Sequence, residues 1–175
     1  MKLHLALLSA TAFLLSSCLF TEPVFDKGFE KPDPALTGVW VTSENPKDPR
    51  KMEFAVVAPM GDGLMIHHPA GPTSGDGGTY YEARQLTLHG RMLLQLRLAA
   101  TFKEGPAKPS DKTWTLVWVE RKDNDTMMVR SLKGEEGVNP DPASVRRALE
   151  GGAAGWEARF GDPQKFERLP APAAN

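Results

Sequence analysis

The chain has 175 residues, of which 41% are hydrophobic and 25% charged, with a formal net charge of −1 and a single cysteine. That length fits one domain, and the composition excludes collagen-like and fully disordered chains. The near-neutral charge argues against a dedicated nucleic-acid binder. One cysteine excludes an internal disulfide framework and a thiolate metal cluster.

The first 17 residues are organised like a secretory signal peptide. Lys2 gives a positive start, and residues 3–17 form a largely apolar stretch without Asp, Glu, Lys or Arg. As a helix this stretch would reach only about 22 Å, short of the roughly 30 Å hydrocarbon core of a bilayer. We therefore expect a cleaved signal rather than a spanning helix.

The signal ends in Leu15-Ser16-Ser17-Cys18, which resembles the lipobox of bacterial lipoproteins. The resemblance implies that Cys18 becomes the mature N-terminus, with a diacylglycerol thioether on its sulfur and an acyl chain on its nitrogen. Two or more acyl chains hold a protein stably on a membrane, at about 0.8 kcal/mol per buried CH₂. Leu19 stands where an aspartate is associated with inner-membrane retention, which favours the outer membrane if the host has two membranes.

Residues 18–35 are predicted to be a Pro-rich, charged tether. Fully extended, they would reach roughly 55 Å. An alternative stays open, because four large apolar residues could dock part of the segment on the domain. These residues are Phe20, Val24, Phe25 and Phe29. The domain is expected over residues 36–169, and residues 170–175 are a predicted frayed tail.

The body of the chain is predicted to form mostly short strands joined by hairpins. Residues 113–121 carry apolar side chains on both faces, so that strand is expected to be covered by the core on one side and by a helix or loop on the other. The strands are predicted over residues 37–43, 51–58, 63–68, 80–88, 91–99, 113–121 and 126–132, with further short segments at 156–160 and 166–169.

One helix is predicted in the C-terminal half. Asp141 is a suitable N-cap, Pro142 suits the first helical position, and Gly151-Gly152 end the helix. Short antiparallel strands with one late helix predict a mainly β fold, either an up-and-down β-barrel or a strongly curved sheet.

The first strand opens with Gly38-Val39-Trp40, which resembles the Gly-x-Trp strand of lipocalin-like barrels. In that family the glycine lets the chain bend at the barrel base, the tryptophan plugs the base, and an arginine from the chain end often covers the ring. The resemblance implies these structural roles for Gly38, Trp40 and Arg168. The order of hairpins, helix and final strand is also similar to that of small lipocalin-like lipoproteins of bacteria.

The sequence carries no recognisable catalytic or metal-binding motif. It has no P-loop, zinc-protease or nucleophile-elbow pattern, and its one cysteine is expected to carry lipid, so we expect neither an enzyme nor a cofactor. His67 and His68 are adjacent, but neighbouring residues of a strand point to opposite faces and cannot both hold one ion. Asp123 and Asp125 lack the later oxygen ligands and the glycine of a calcium loop.

The expected function is that of a lipid-anchored envelope protein whose barrel binds a small apolar ligand or a protein partner. Four residues are predicted to line the ligand cavity: Met52, Phe54, Trp114 and Trp118. The alternative is a solid barrel that acts through its outer face, for example as the inhibitor of an envelope enzyme. A continuous pocket of about 300 Å³ or more favours ligand binding, whereas a filled interior favours the alternative.

Overall fold

The structure is a computed structural model that describes residues 20–43, 52–68, 78–102, 104–108, 114–134 and 141–170. The predicted signal peptide and Cys18 lie outside these ranges. The strands are β1 (Gly38–Ser43), β2 (Met52–Met60), β3 (Gly63–His68), β4 (Thr79–Leu88), β5 (Arg91–Thr101), β6 (Gly105–Pro106), β7 (Trp114–Arg121), β8 (Thr126–Ser131) and β9 (Gln164–Arg168). The helices are a 3₁₀ turn (Pro34–Leu36), α1 (Pro142–Glu150) and α2 (Trp156–Arg159).

Eight antiparallel strands of the described chain close into a barrel in the order β1-β2-β3-β4-β5-β7-β8-β9. The ring is complete because β4 pairs with β5 and β1 pairs with β9. The two-residue β6 pairs with the end of β5, beyond the part of β5 that contacts β7. The predicted mainly β barrel with a short helix in the C-terminal half is confirmed. Residues 156–159 form a single helical turn.

The barrel has two different ends. The turns at 61–62, 89–90 and 122–125 lie at one end, together with the start of β1 and the end of β9. We call this end the base. At the opposite end β3, β5 and β8 finish and β7 begins. We call this end the mouth.

The barrel interior is filled mainly by aliphatic side chains, since alternate residues of each strand point inward. The buried members of this inner core are Leu36, Trp40, Ala55, Val57, Leu64, Tyr81, Ala83, Leu94, Leu96, Val117, Val119, Met127 and Phe166. Full burial of one such aliphatic side chain contributes about 1.5–3 kcal/mol, so the inner core is a major source of stability.

A second core lies on the outer face of β4, β5 and β7, beneath α1, α2 and the N-terminal segment. Its buried members are Phe20, Val24, Phe25, Leu86, Leu93, Leu116, Trp118, Leu132, Val145, Leu149, Trp156 and Phe160. The Trp118 ring meets Trp156 and Phe160 edge to face, with centroids 6.1 and 5.9 Å apart. Strand β7 is therefore buried on both faces, as its sequence predicts.

Helix α1 begins and ends where the sequence predicts. The Asp141 carboxylate accepts hydrogen bonds from the N–H groups of Ala143 and Ser144, and Gly151 is the C-cap. Among the described residues, no helix combines the length and the apolar character needed to cross a bilayer.

The segment predicted to be a tether packs on the barrel from Phe20 onward. Phe20 and Trp114 exchange two backbone hydrogen bonds, with N···O distances of 2.8 and 3.0 Å. The Gln95 side chain accepts from the N–H of Phe25 at 2.7 Å and donates to its carbonyl at 2.9 Å. The tether prediction is wrong for the described part of the segment, and the docking alternative applies. Burial of the large apolar side chains outweighs the solvation of the charged residues between them.

Beyond Phe25 the segment continues along the outside of the barrel and reaches its base. The Glu30 N–H donates to the Gln85 carbonyl at 2.9 Å, and the Asp33 carboxylate lies 2.7 Å from the Arg121 guanidinium. The 3₁₀ turn then places Leu36, which is 2% exposed, in the inner core. The domain consequently starts near Phe20 rather than at residue 36.

Candidate functional site

The base of the barrel is closed by Trp40 and Arg168. Trp40 is fully buried, and its indole N–H donates to the Leu36 carbonyl at 2.8 Å. The guanidinium carbon of Arg168 lies 4.4 Å from the centroid of the Trp40 ring, within the roughly 6 Å range of a cation–π contact. The same guanidinium donates to the carbonyls of Ala35 and Thr37. Arg168 thus ties the last strand to the start of the first.

Gly38 makes this approach possible. Its φ of 142° lies in a region that residues with a side chain rarely adopt. A Cβ built at this position would lie only 2.6 Å from Nη1 of Arg168. The three residues of the sequence-derived base motif therefore meet at one point, where they support the barrel rather than a ligand.

A small apolar cavity of about 80 Å³ remains inside the barrel. Representative lining residues are Leu36, Val57, Ile66, Leu94, Val117 and Phe166. This volume is far below the roughly 300 Å³ of ordinary ligand pockets. By the criterion set from the sequence, it favours a largely filled barrel.

The two tryptophans predicted to line a cavity lie outside the barrel. Trp118 is buried in the outer core, and Trp114 packs against the same core beside Phe20. The prediction failed because both faces of β7 are apolar, so alternation alone does not say which face is inside. The interior of an eight-stranded barrel is just wide enough for its own side chains or one small ligand, and here the rings of Trp114 and Trp118 pack outside it.

The two residues of β2 that were predicted to line the cavity also lie away from it. Ala55 and Val57 line it, so the alternation of the strand directs Met52 and Phe54 to the outer face. The sequence interpretation assigned the bulkier set inward, whereas the smaller side chains fit the interior.

Polar atoms lie at the mouth side of the cavity, a feature that sequence reasoning missed. His68 and Ser131 both line the cavity at strand ends. Neither Nε2 of His68 nor Oγ of Ser131 has a hydrogen-bond partner among the described residues. Ser131 is only 4% exposed. A buried polar atom without a partner costs about 1–3 kcal/mol, so such atoms call for an explanation.

His68 is held in its neutral form at neutral pH. Burial, with a smaller contribution from neighbouring His67, lowers the pKa of His68 from 6.5 to about 4. A Glu53 carboxylate oxygen lies 3.7 Å from its Nε2 and acts in the opposite direction, since a negative charge favours the protonated ring. The cavity therefore presents an uncharged imidazole.

The two adjacent histidines point to opposite faces. His67 stacks on Tyr80 outside the barrel, with ring centroids 4.3 Å apart, while His68 lines the interior. Within the described ranges, no three His, Cys, Asp or Glu side chains converge as a metal site would require.

An apolar patch lies on the outer face of β1 and β2. Val39 and Val56 are paired across the two strands, and each is 37% exposed. Leu169 donates its N–H to the Val39 carbonyl at 2.8 Å and is 39% exposed. We call Val39, Val56 and Leu169 the outer patch. The sequence feature that could have indicated this patch is the presence of apolar residues on both faces of β1.

The sequence matches no protein-family model, and no curated protein matches it. The barrel, its small cavity and its surface therefore carry the functional conclusion.

Proposed function

We propose that this protein is a lipid-anchored component of the bacterial cell envelope, in which a largely filled lipocalin-like barrel is a rigid scaffold for binding a protein partner. The observation that carries the proposal is the volume of about 80 Å³ of the cavity that the described residues enclose, which is far smaller than an ordinary ligand pocket. The proposed role is binding rather than catalysis.

The proposed anchor is Cys18, the only cysteine of the chain. Cys18→Ser is expected to abolish acylation and membrane attachment, because the chain has no other thiol on which the thioether could form. Metabolic labelling with an alkyne fatty acid, followed by membrane fractionation, measures both. Ser16→Ala keeps a small residue in the lipobox and is the matched control. Label retained at the wild-type level by Cys18→Ser would overturn the lipoprotein proposal.

The outer patch is the proposed contact for an envelope protein with a complementary apolar surface. Exposed apolar side chains that lie together on a folded surface are typical of such contacts. A photo-crosslinking amino acid at position 56 is expected to give a discrete adduct that disappears when Val39 is changed to Lys. The same probe at the exposed base residue Asp62 is the control. Equal adducts at both positions would contradict a specific patch.

A second candidate function, binding of a small ligand in the cavity, is favoured by the unpartnered atoms of His68 and Ser131. Native mass spectrometry of the domain expressed without its signal peptide distinguishes the two. The bare polypeptide mass is expected if the barrel is a scaffold. A stoichiometric small-molecule adduct that is lost in Ser131→Ala would establish the second function instead.

A further inference from the structure

The first described residue is fixed at the barrel mouth. Phe20 is 3% exposed and exchanges both of its backbone hydrogen bonds with Trp114, the first residue of β7. Displacing Phe20 would break two hydrogen bonds and expose an aromatic ring that belongs to the outer core. The N-terminal segment is therefore held at a defined point of the mouth from Phe20 onward.

Only Leu19 separates this point from Cys18. An extended chain spans at most about 3.6 Å per residue, so a connection of two residues can reach no farther than about 7 Å. A lipid on Cys18 would hold the mouth close to the headgroups, because the docked segment removes the long reach of a free tether.

An exposed aromatic residue lies at the same end. Phe102 follows the last residue of β5, and its N–H donates to the Gly78 carbonyl at 3.1 Å, next to the start of β4. Its 71% exposure is far above that of the outer-patch residues. A phenylalanine with this exposure gains when it enters the boundary between headgroups and acyl chains.

We propose that the barrel lies against the bilayer with its mouth on the headgroup layer, Phe102 at the interface and its base turned away. This orientation rests on the proposed lipidation of Cys18. In this orientation the surface at the mouth contacts lipid rather than a protein partner.

The base would then lie well clear of the membrane. Strand β5 has 11 residues, which span about 33 Å along the strand and roughly 25 Å along the axis of a barrel tilted as usual. Asp62 in the base turn and Glu104 near Phe102 are both exposed acidic residues. Positions 62 and 104 can therefore carry the same fluorescent label, one near each end of the barrel.

The experiment uses full-length, lipidated protein in vesicles of phosphatidylethanolamine and phosphatidylglycerol that contain brominated acyl chains. A bimane fluorophore is attached through Glu104→Cys or, in a separate protein, Asp62→Cys, since the Cys18 sulfur is blocked by its thioether. We expect bromine to quench the label at position 104 and to leave the label at position 62 unchanged. Insertion of six Gly/Ser residues between Leu19 and Phe20 should remove most of this difference.

The possible outcomes distinguish a wrong orientation of the barrel from the absence of a lipid on Cys18. If intact mass shows the acyl groups but the two labels are quenched equally, or position 62 more strongly, the orientation is wrong and the lipoprotein proposal stands. If intact mass shows no acyl groups on Cys18, both proposals are wrong. If the label at position 104 is quenched equally with and without the inserted residues, the short connection between Cys18 and Phe20 does not determine the orientation.

Discussion

At the scale of single residues, the contact between Trp40 and Arg168 should govern stability. Trp40→Ala is expected to cost about 3–5 kcal/mol, as for a buried tryptophan, and Arg168→Ala about 2 kcal/mol. The double variant should cost less than the sum, because both changes remove the same contact. Urea unfolding measures the cycle, and Arg159→Ala, an exposed arginine of α2, is the control. Simple additivity would show that the stack contributes nothing.

Gly38→Ala is expected to destabilise the barrel more than Gly28→Ala. Both glycines have positive φ, at 142° and 83°, so both changes carry backbone strain. Only at Gly38 would the new Cβ meet a neighbour, at 2.6 Å from Arg168 Nη1, whereas nothing lies within 4 Å at Gly28. Thermal unfolding compares the two. Because Arg168→Ala removes the clash, the extra cost of Gly38→Ala should shrink in that background; an undiminished cost would contradict the mechanism.

His68 should make stability depend on pH in the weakly acidic range. Its pKa is about 4 in the folded protein and 6.5 unfolded, so between these values the unfolded chain binds the extra proton. The stabilisation is complete above pH 6.5 and is lost as the pH falls toward 4, by about 3 kcal/mol in total. Urea unfolding at several pH values measures the loss. His68→Gln should flatten the profile in this window, and an unchanged slope would assign the effect to other groups.

At the scale of elements, the N-terminal segment behaves as part of the domain. Phe25→Ala is expected to cost about 3–5 kcal/mol, since a buried ring leaves a cavity in the outer core. Phe102→Ala makes the same chemical change at a 71% exposed position and should have little effect. Chemical unfolding of the two variants provides the comparison. If both variants lose equally little stability, the N-terminal segment is a free tether and does not belong to the domain.

The amide of Gln95 is a separate test of the same segment. Gln95→Leu leaves the N–H and carbonyl of Phe25 without their partners, at about 1–3 kcal/mol for each buried group. Limited proteolysis should then cleave within residues 20–33 before the barrel unfolds. Unchanged protection of this segment would show that the hydrogen bonds are dispensable.

The sequence predicted where the strands and helix α1 lie. It predicted less well which other parts of the chain their side chains pack against. The cap at Asp141 and the strand predicted over residues 91–99 depend on neighbours in sequence, and the structure has both. Trp118 and Phe25 were misplaced because their partners lie far along the chain. The partner of Phe25, Gln95, is 70 residues away, and a lone buried amide leaves no local pattern.

At the scale of the whole molecule, β4, β5 and β7 serve two cores at once. Their inward residues fill the barrel, and their outward residues bind the N-terminal segment and the helices. This arrangement explains why composition and periodicity predicted the fold class but not the cavity. The cavity is the space that remains after side chains from eight strands have packed, and no single segment of the sequence encodes that volume.

The pairing of β1 with β9 determines when the molecule can finish folding. Trp40 and Arg168 are register partners in that pairing, although 128 residues separate them in the chain. Contacts between residues so far apart form slowly, because the entropy of a long loop must be lost before the contact forms. A nascent chain whose residue 168 has not yet emerged can form hairpins but cannot close the ring. Open strand edges are therefore unavoidable during synthesis, and protection from aggregation comes only when the last strand arrives.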